Sequence, residues 1–284
     1  MQRRTIRLRL RTPNAIWLSS AMLVMVGLGS SAALALDPMG PPASSLKQGQ
    51  VKMGIDYAYS EMDLELNGGR WVEYLDGLFN DAGQATSFTL KDVEMNRAYA
   101  HMGYGVTDRW EVFLRLGGSD AEFGDSIWQD QEKFDSHTQM AIGGGVKATF
   151  YEADSLSLGG LLQASWAEYD GKLRAAHWSA ADFVEMDITE VQIAIGPTYR
   201  FTDRFSVYGG PFFHFVWGDL DDEFSEAADG SLLTSKYSWD VEESSVFGAY
   251  IGAQLEFGGN CSVNFEYQRT ADADAVGVGL LWRF

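Results

Sequence analysis

Eleven charged residues recur on one face of an alternating pattern: Lys52, Asp56, Arg97, Glu111, Arg115, Lys147, Glu190, Arg200, Glu256, Glu266 and Arg283. Each shares its face with glycines and polar residues, opposite a face of aliphatic and aromatic side chains. Six positive and five negative charges nearly cancel, which predicts an interior network of ion pairs and hydrogen bonds. A pore selective for one ion sign would show an imbalance. No Gly-rich phosphate loop, zinc-ligand spacing or nucleotide fingerprint occurs, so no cofactor is expected. Of four histidines, His101 and His214 fall on the polar face, while His137 and His177 fall in polar connections. His214 with Asp219 and Asp221 is the nearest approach to a histidine–carboxylate protease site, and no outward Ser–His pair is present. A lone inward histidine on a strand more often serves as a hydrogen-bonding residue, so the chain is not expected to be an enzyme. Asp219, Asp221, Asp222 and Glu223 are weak candidates for Ca²⁺ or Mg²⁺. They lack the spaced ligands and central glycine of a calcium loop, and a solvated acidic loop is the expectation.

The elements that would carry these charges are short strands. Residues 50–60 place Met53, Ile55 and Tyr57 opposite Lys52 and Asp56, and 92–106 place Ala100, Met102 and Tyr104 opposite Arg97 and His101. The same alternation marks 109–118, 138–150, 156–167, 188–201, 205–217, 245–257, 261–269 and 276–284. These ten strands are each about the length that crosses a bilayer when tilted. Their connections alternate between tight turns, such as Thr107-Asp-Arg109 and Thr202-Asp-Arg204, and long polar stretches at 61–91, 119–137, 168–187 and 218–244. That rhythm describes a transmembrane antiparallel up-and-down β-barrel with periplasmic turns and extracellular loops. Eight or twelve strands stay open, because Trp71-Val-Glu-Tyr74 and Thr86-Ser-Phe-Thr-Leu90 could form an extra hairpin or extend strands above the membrane.

Arg3, Arg4, Arg7, Arg9 and Arg11 precede an apolar run and small residues ending at Ala33-Leu-Ala35, the pattern of a cleaved signal peptide over 1–35. A retained anchor is the rival reading of the same run. Without these residues, 16 Lys and Arg face 40 Asp and Glu, a formal charge of −24. Nucleic acid is thereby disfavoured as a partner. The single cysteine, Cys261, forms no internal disulfide. Residues 36–48, rich in Pro and Ser, read as a flexible periplasmic lead-in to a barrel over 49–284.

A soluble β-sandwich would show the same alternation. Aromatic residues at strand ends, glycines and isolated charges on the opposite face, and an export signal favour the barrel. With Trp282-Arg-Phe284 closing the last strand and the Thr-Asp-Arg turns, residues 49–284 resemble the small bacterial outer-membrane β-barrel proteins, of porin-like and OmpA-like architecture. The resemblance implies a bacterial outer-membrane location among lipid and lipopolysaccharide. It also implies insertion by the outer-membrane assembly machinery, with Trp282 and Phe284 as the assembly signal. Such barrels host many functions. The expected role is structural or surface-exposed, with the lumen mostly filled by the charge network. A narrow porin-like channel is the alternative, and a loop-based protease or adhesin a third reading. Oligomeric state is left open.

Overall fold

The structure, a computed structural model, describes residues 36–284 apart from 125–132, 175–180 and 229. The signal segment 1–35, His177 and the acids Asp125, Asp130, Glu132 and Asp229 therefore lie outside the described residues. The strands are β1 (Val51–Leu75), β2 (Leu78–Gln84), β3 (Phe88–Thr107), β4 (Trp110–Phe123), β5 (Lys133–Ser136), β6 (Gln139–Ala153) and β7 (Leu156–Arg174), followed by β8 (Ala181–Thr202), β9 (Phe205–Ala228), β10 (Ser231–Glu243), β11 (Phe247–Phe257), β12 (Cys261–Arg269) and β13 (Ala273–Arg283).

Ten of them, β1, β3, β4, β6, β7, β8, β9, β11, β12 and β13, close into one antiparallel ring. The closing seam pairs β13 with β1 from Lys52↔Arg283 to Met62↔Ala273, so no edge is left at this level. Outward residues Met53, Ile55, Met102, Leu114, Ile193, Phe213, Ile251 and Trp282 are 41–60% exposed. A continuous belt of large apolar side chains at that exposure requires lipid around it. Two of the tight turns share one chemistry: Thr107 Oγ1 accepts from the N–H groups of Arg109 and Trp110 at 3.2 and 3.0 Å. Thr202 repeats it with Arg204 and Phe205 at the same distances.

The long polar connections differ from expectation, because much of their length is strand. β1 runs 25 residues, about 60 Å of height at ~3.3 Å per residue and a tilt near 40°, against about 25 Å of lipid-facing wall. Above the membrane β10 inserts between β9 and β1, and β5 bridges β4 and β7. A second, eight-strand ring results: β1, β3, β4, β5, β7, β8, β9 and β10. Along β8 the alternation keeps its period and reverses its polarity. Ile193 and Val191 face out below, whereas Val184, Met186 and Ile188 face in above, with Glu185 and Asp187 outside. The solvent outside has changed from lipid to water, so the apolar face turns inward. Met62, Leu64, Leu66, Leu90, Val93, Phe134, Val184, Met186, Ile188, Leu220 and Val241 thereby pack into an apolar core inside the upper ring.

The segment 36–48 also departs from its reading as a flexible periplasmic lead-in. Leu36, Asp37, Met39, Ala43 and Leu46 are 1–6% exposed, because residues 36–46 run inside the lower ring. The strand interiors beneath the apolar core are polar, and the main chain of this segment supplies partners that the strands alone lack.

Candidate functional site in the barrel lumen

The lower lumen is a layered set of charges built from facing strands. Lys52 on β1 forms an ion pair with Glu111 on β4, and both are nearly inaccessible. Glu111 also accepts from the Ser45 N–H of the inserted segment at 3.0 Å. One layer up, Asp56 accepts from Arg115 Nε at 3.1 Å and meets His101 Nδ1 at 2.8 Å. The His101 ring stacks on Phe113 at 5.2 Å, and the Arg115 guanidinium lies 5.0 Å from the same ring. At the top of the polar zone, Arg97 on β3 pairs with Glu190 on β8 and donates to Tyr169 at 3.2 Å. Glu190 holds His214 Nε2 at 3.0 Å, and Tyr169 meets Ser119 at 2.9 Å.

The inserted segment completes this set. Asp37 lies 3.4 Å from Arg97 and 3.9 Å from Arg115, a buried carboxylate shared between two guanidinium groups. Glu266 accepts from the N–H groups of Met39 and Gly40 at 2.7 and 2.8 Å. Lys147 donates to the Met39 and Pro41 carbonyls at 2.6 and 2.9 Å. Arg115 reaches the Pro38 carbonyl, and Gln268 donates to the Asp37 carbonyl at 2.8 Å. Gly159 lets this chain pass close to the wall, since a Cβ there would overlap the Ala43 backbone. Among the buried polar atoms of this region that lack a partner among the described residues are His101 Nε2 and Asn264 Oδ1. Both residues border an internal space of about 30 Å³, enough for a water molecule.

Eight of the eleven sequence-selected charges converge here: Lys52, Asp56, Arg97, Glu111, Arg115, Lys147, Glu190 and Glu266. The other three lie at the periplasmic mouth. Arg283 pairs with Glu256, partly exposed, and Arg200 is exposed two residues before the β8–β9 turn. The partner of Glu190 is Arg97, from a strand distant in sequence. Asp37 was missed as a lumen charge. Its signal was the length of chain that had to be placed, and a Pro- and Ser-rich stretch gives no periodicity from which to place it.

The other candidates separate. Asp219, Asp221 and Glu223 point outward on β9 while Asp222 points to the opposite face, so strand geometry divides the four. Among the described residues no group of three His, Cys, Asp or Glu could hold a metal ion. His214 is 1% exposed and faces inward, away from Asp219 and Asp221. The outward acids fall instead into registered rows above the aromatic girdle: Glu168↔Asp187↔Asp219↔Asp240, and above it Asp170↔Glu185↔Asp221. Partial burial, then Glu168, Asp187, Asp221 and Asp170, push the Glu185 carboxyl above its ordinary value.

The closed ring and its lipid-facing belt make this chain an integral β-barrel of the bacterial outer membrane. Neither a family model nor a curated protein matches it. Solved structures of similar fold include the outer membrane protease OmpT from Escherichia coli, 9% identical over 83% of this chain and 97% of that one at a TM-score of 0.43. The translocator domain of the autotransporter NalP from Neisseria meningitidis is 12% identical over 85% and 90%, also at 0.43. An outer membrane channel from Pseudomonas putida F1 is 10% identical over 88% and 100%, at 0.39.

Proposed function

We propose that this protein is a closed structural barrel that presents its strand extensions at the cell surface. The carrying observation is that its interior is occupied at two levels by different chemistry. Residues 36–46 fill the lower ring through hydrogen bonds to Glu266, Lys147, Arg115 and Glu111. The apolar core fills the upper ring, where an ion would have to shed its hydration with no polar group to replace it. This arrangement supports a filled lumen over a narrow channel. His101 and His214 are buried inside the lumen at 5% and 1% exposure, out of reach of a substrate at the surface, which supports a non-catalytic role.

The exterior supports two partners, outer-membrane lipid with lipopolysaccharide and the outer-membrane assembly machinery. The acidic rows stand directly above the lipid-facing Trp166 and Trp217, at the level of the outer-leaflet headgroups. Phe284 is 72% exposed beside the closing seam, where its N–H donates to Val51 at 2.8 Å, which supports its reading by the assembly machinery.

Planar-bilayer recording tests the closed state. Both the wild type and a variant lacking residues 37–46 are expected to give no unitary steps, since the apolar core survives the deletion. Stable steps from the wild type would overturn the proposal in favour of a channel.

A further inference from the structure

The wall between β8 and β9 is interrupted at one place. The ladder runs to Ala194↔Phe212 and resumes at Thr198↔Tyr208 in the same register, with no pairing across Ile195–Pro197 and Gly209–Pro211. Pro197 and Pro211 have no N–H to donate. Each strand remains paired on its other side, β8 to β7 and β9 to β11. The interruption is therefore a seam between two otherwise bonded halves.

Three features gather at that seam. On the lipid side Gly209 removes a side chain from the belt, leaving a depression of about 370 Å³ between Pro197, Tyr199, Val207 and Ile251. On the lumen side Gly196 faces Tyr250, and a Cβ there would collide with the Gly209 carbonyl and lie 3.1 Å from the Tyr250 hydroxyl. That hydroxyl is buried, Tyr250 being 4% exposed, and has no hydrogen-bond partner among the described residues. A buried hydroxyl without an acceptor is costly to leave so. The depth is also informative. Pro197 lies five residues above Thr202 at the β8–β9 turn, roughly 13 Å of height for a tilted strand, within the acyl-chain region of the bilayer.

We propose that this seam is a membrane-side binding site for a fatty-acyl ester, its chain in the depression and its carbonyl accepting from Tyr250 through the unpaired rungs. An acyl chain matches the apolar lining, and an ester carbonyl, which only accepts, matches the Tyr250 hydroxyl, which with that of Tyr208 lacks an acceptor among the described residues. Small local separation of the two strands admits the carbonyl, since neither Pro197 nor Pro211 donates a bond across the seam.

The experiment uses the full barrel in phosphatidylethanolamine bilayers with two photoactivatable probes, a diazirine-bearing fatty-acid methyl ester and the matching hydrocarbon. Cross-linked peptides are mapped by mass spectrometry. Ester labelling is expected to concentrate on 195–211 and 250–257 and to fall with excess unlabelled ester. Tyr250→Phe should cut ester labelling about fivefold while leaving hydrocarbon labelling unchanged, because it removes one hydrogen bond and no volume. Pro197→Thr with Pro211→Thr, which restores donors to the ladder, should reduce ester labelling as well. Even labelling around the belt, or equal ester labelling in Tyr250→Phe and wild type, overturns the site.

Discussion

Replacing Arg97 by methionine tests the lumen directly. Arg97 is 2% exposed and serves three groups at once: the Glu190 carboxylate, Asp37 at 3.4 Å and Tyr169 at 3.2 Å. Methionine keeps much of the volume and removes every donor. Among the described residues, Asp37 then retains Arg115, at 3.9 Å, and Glu190 retains His214, at 3.0 Å. Breaking a buried pair by deleting one partner costs about 3–5 kcal/mol, because the remaining charge stays desolvated. For a chain of this size that corresponds to a loss of roughly 6–20 °C in Tm. Adding Glu190→Gln removes one orphaned charge and should recover at least about 2 kcal/mol, a coupling typical of residues in direct contact. Urea unfolding of the refolded barrel in lipid vesicles, followed by tryptophan fluorescence and by heat-modifiable migration on gels, measures both. A single-variant cost below about 1 kcal/mol, or a double variant as unstable as the two singles summed, would show that water reaches this layer and would refute a sealed lumen.

Other perturbations address the remaining parts. Leu64→Ser with Met186→Ser, both in the apolar core at 0% exposure, should destabilise the upper ring by about 2–5 kcal/mol per site and speed proteolysis above the membrane. Asp187→Asn relieves a carboxylate facing Glu168 on one side and Asp219 on the other. Thermal stability should rise by about 0.5 kcal/mol at low ionic strength, and the gain should vanish in 1 M salt. Glu61, just above the lipid-facing wall, has its carboxyl pushed up to about 7 by partial burial and by Asp92, Glu94 and Asp63. A raised carboxyl binds its proton more tightly when folded, so its stabilisation is complete below about pH 4.5 and is lost as pH rises towards 7. Melting curves from pH 4 to 8 should therefore flatten in Glu61→Gln. Deleting Phe284 should lower the folded fraction in outer-membrane extracts while leaving refolding of purified protein in detergent intact.

Much of the barrel was legible because the bilayer imposes a simple rule on each strand. Ile193 and Ile195 facing lipid while Glu190 and Gln192 face inward is a pattern that any neighbouring strand would preserve. The ten crossing strands follow from it. The upper ring was less legible, because a polar stretch with acids at alternate positions reads equally as a loop. The sign was present in Val184, Met186 and Ile188, whose alternation keeps its period while exchanging faces with Glu185 and Asp187. Reading that reversal as a change of outer solvent identifies strand continuing into water.

The charges themselves were selected by parity, and eight of them meet in the lower lumen. Their partners were not selectable in that way, since pairing depends on stagger between strands that are distant in sequence. Arg97 reaches Glu190 across the barrel, and no spacing along the chain encodes that distance.

By itself the sequence determined which residues face lipid, which face the lumen and where the turns lie, because those follow from period two and local turn chemistry. Only the tertiary structure decided what fills the lumen. Closing the ring brings Glu266, Lys147 and Arg115 around a space whose polar groups need main-chain partners, and residues 36–46 supply them. A segment with no periodicity gains its place from the cavity it completes, so its position becomes visible only when that cavity exists.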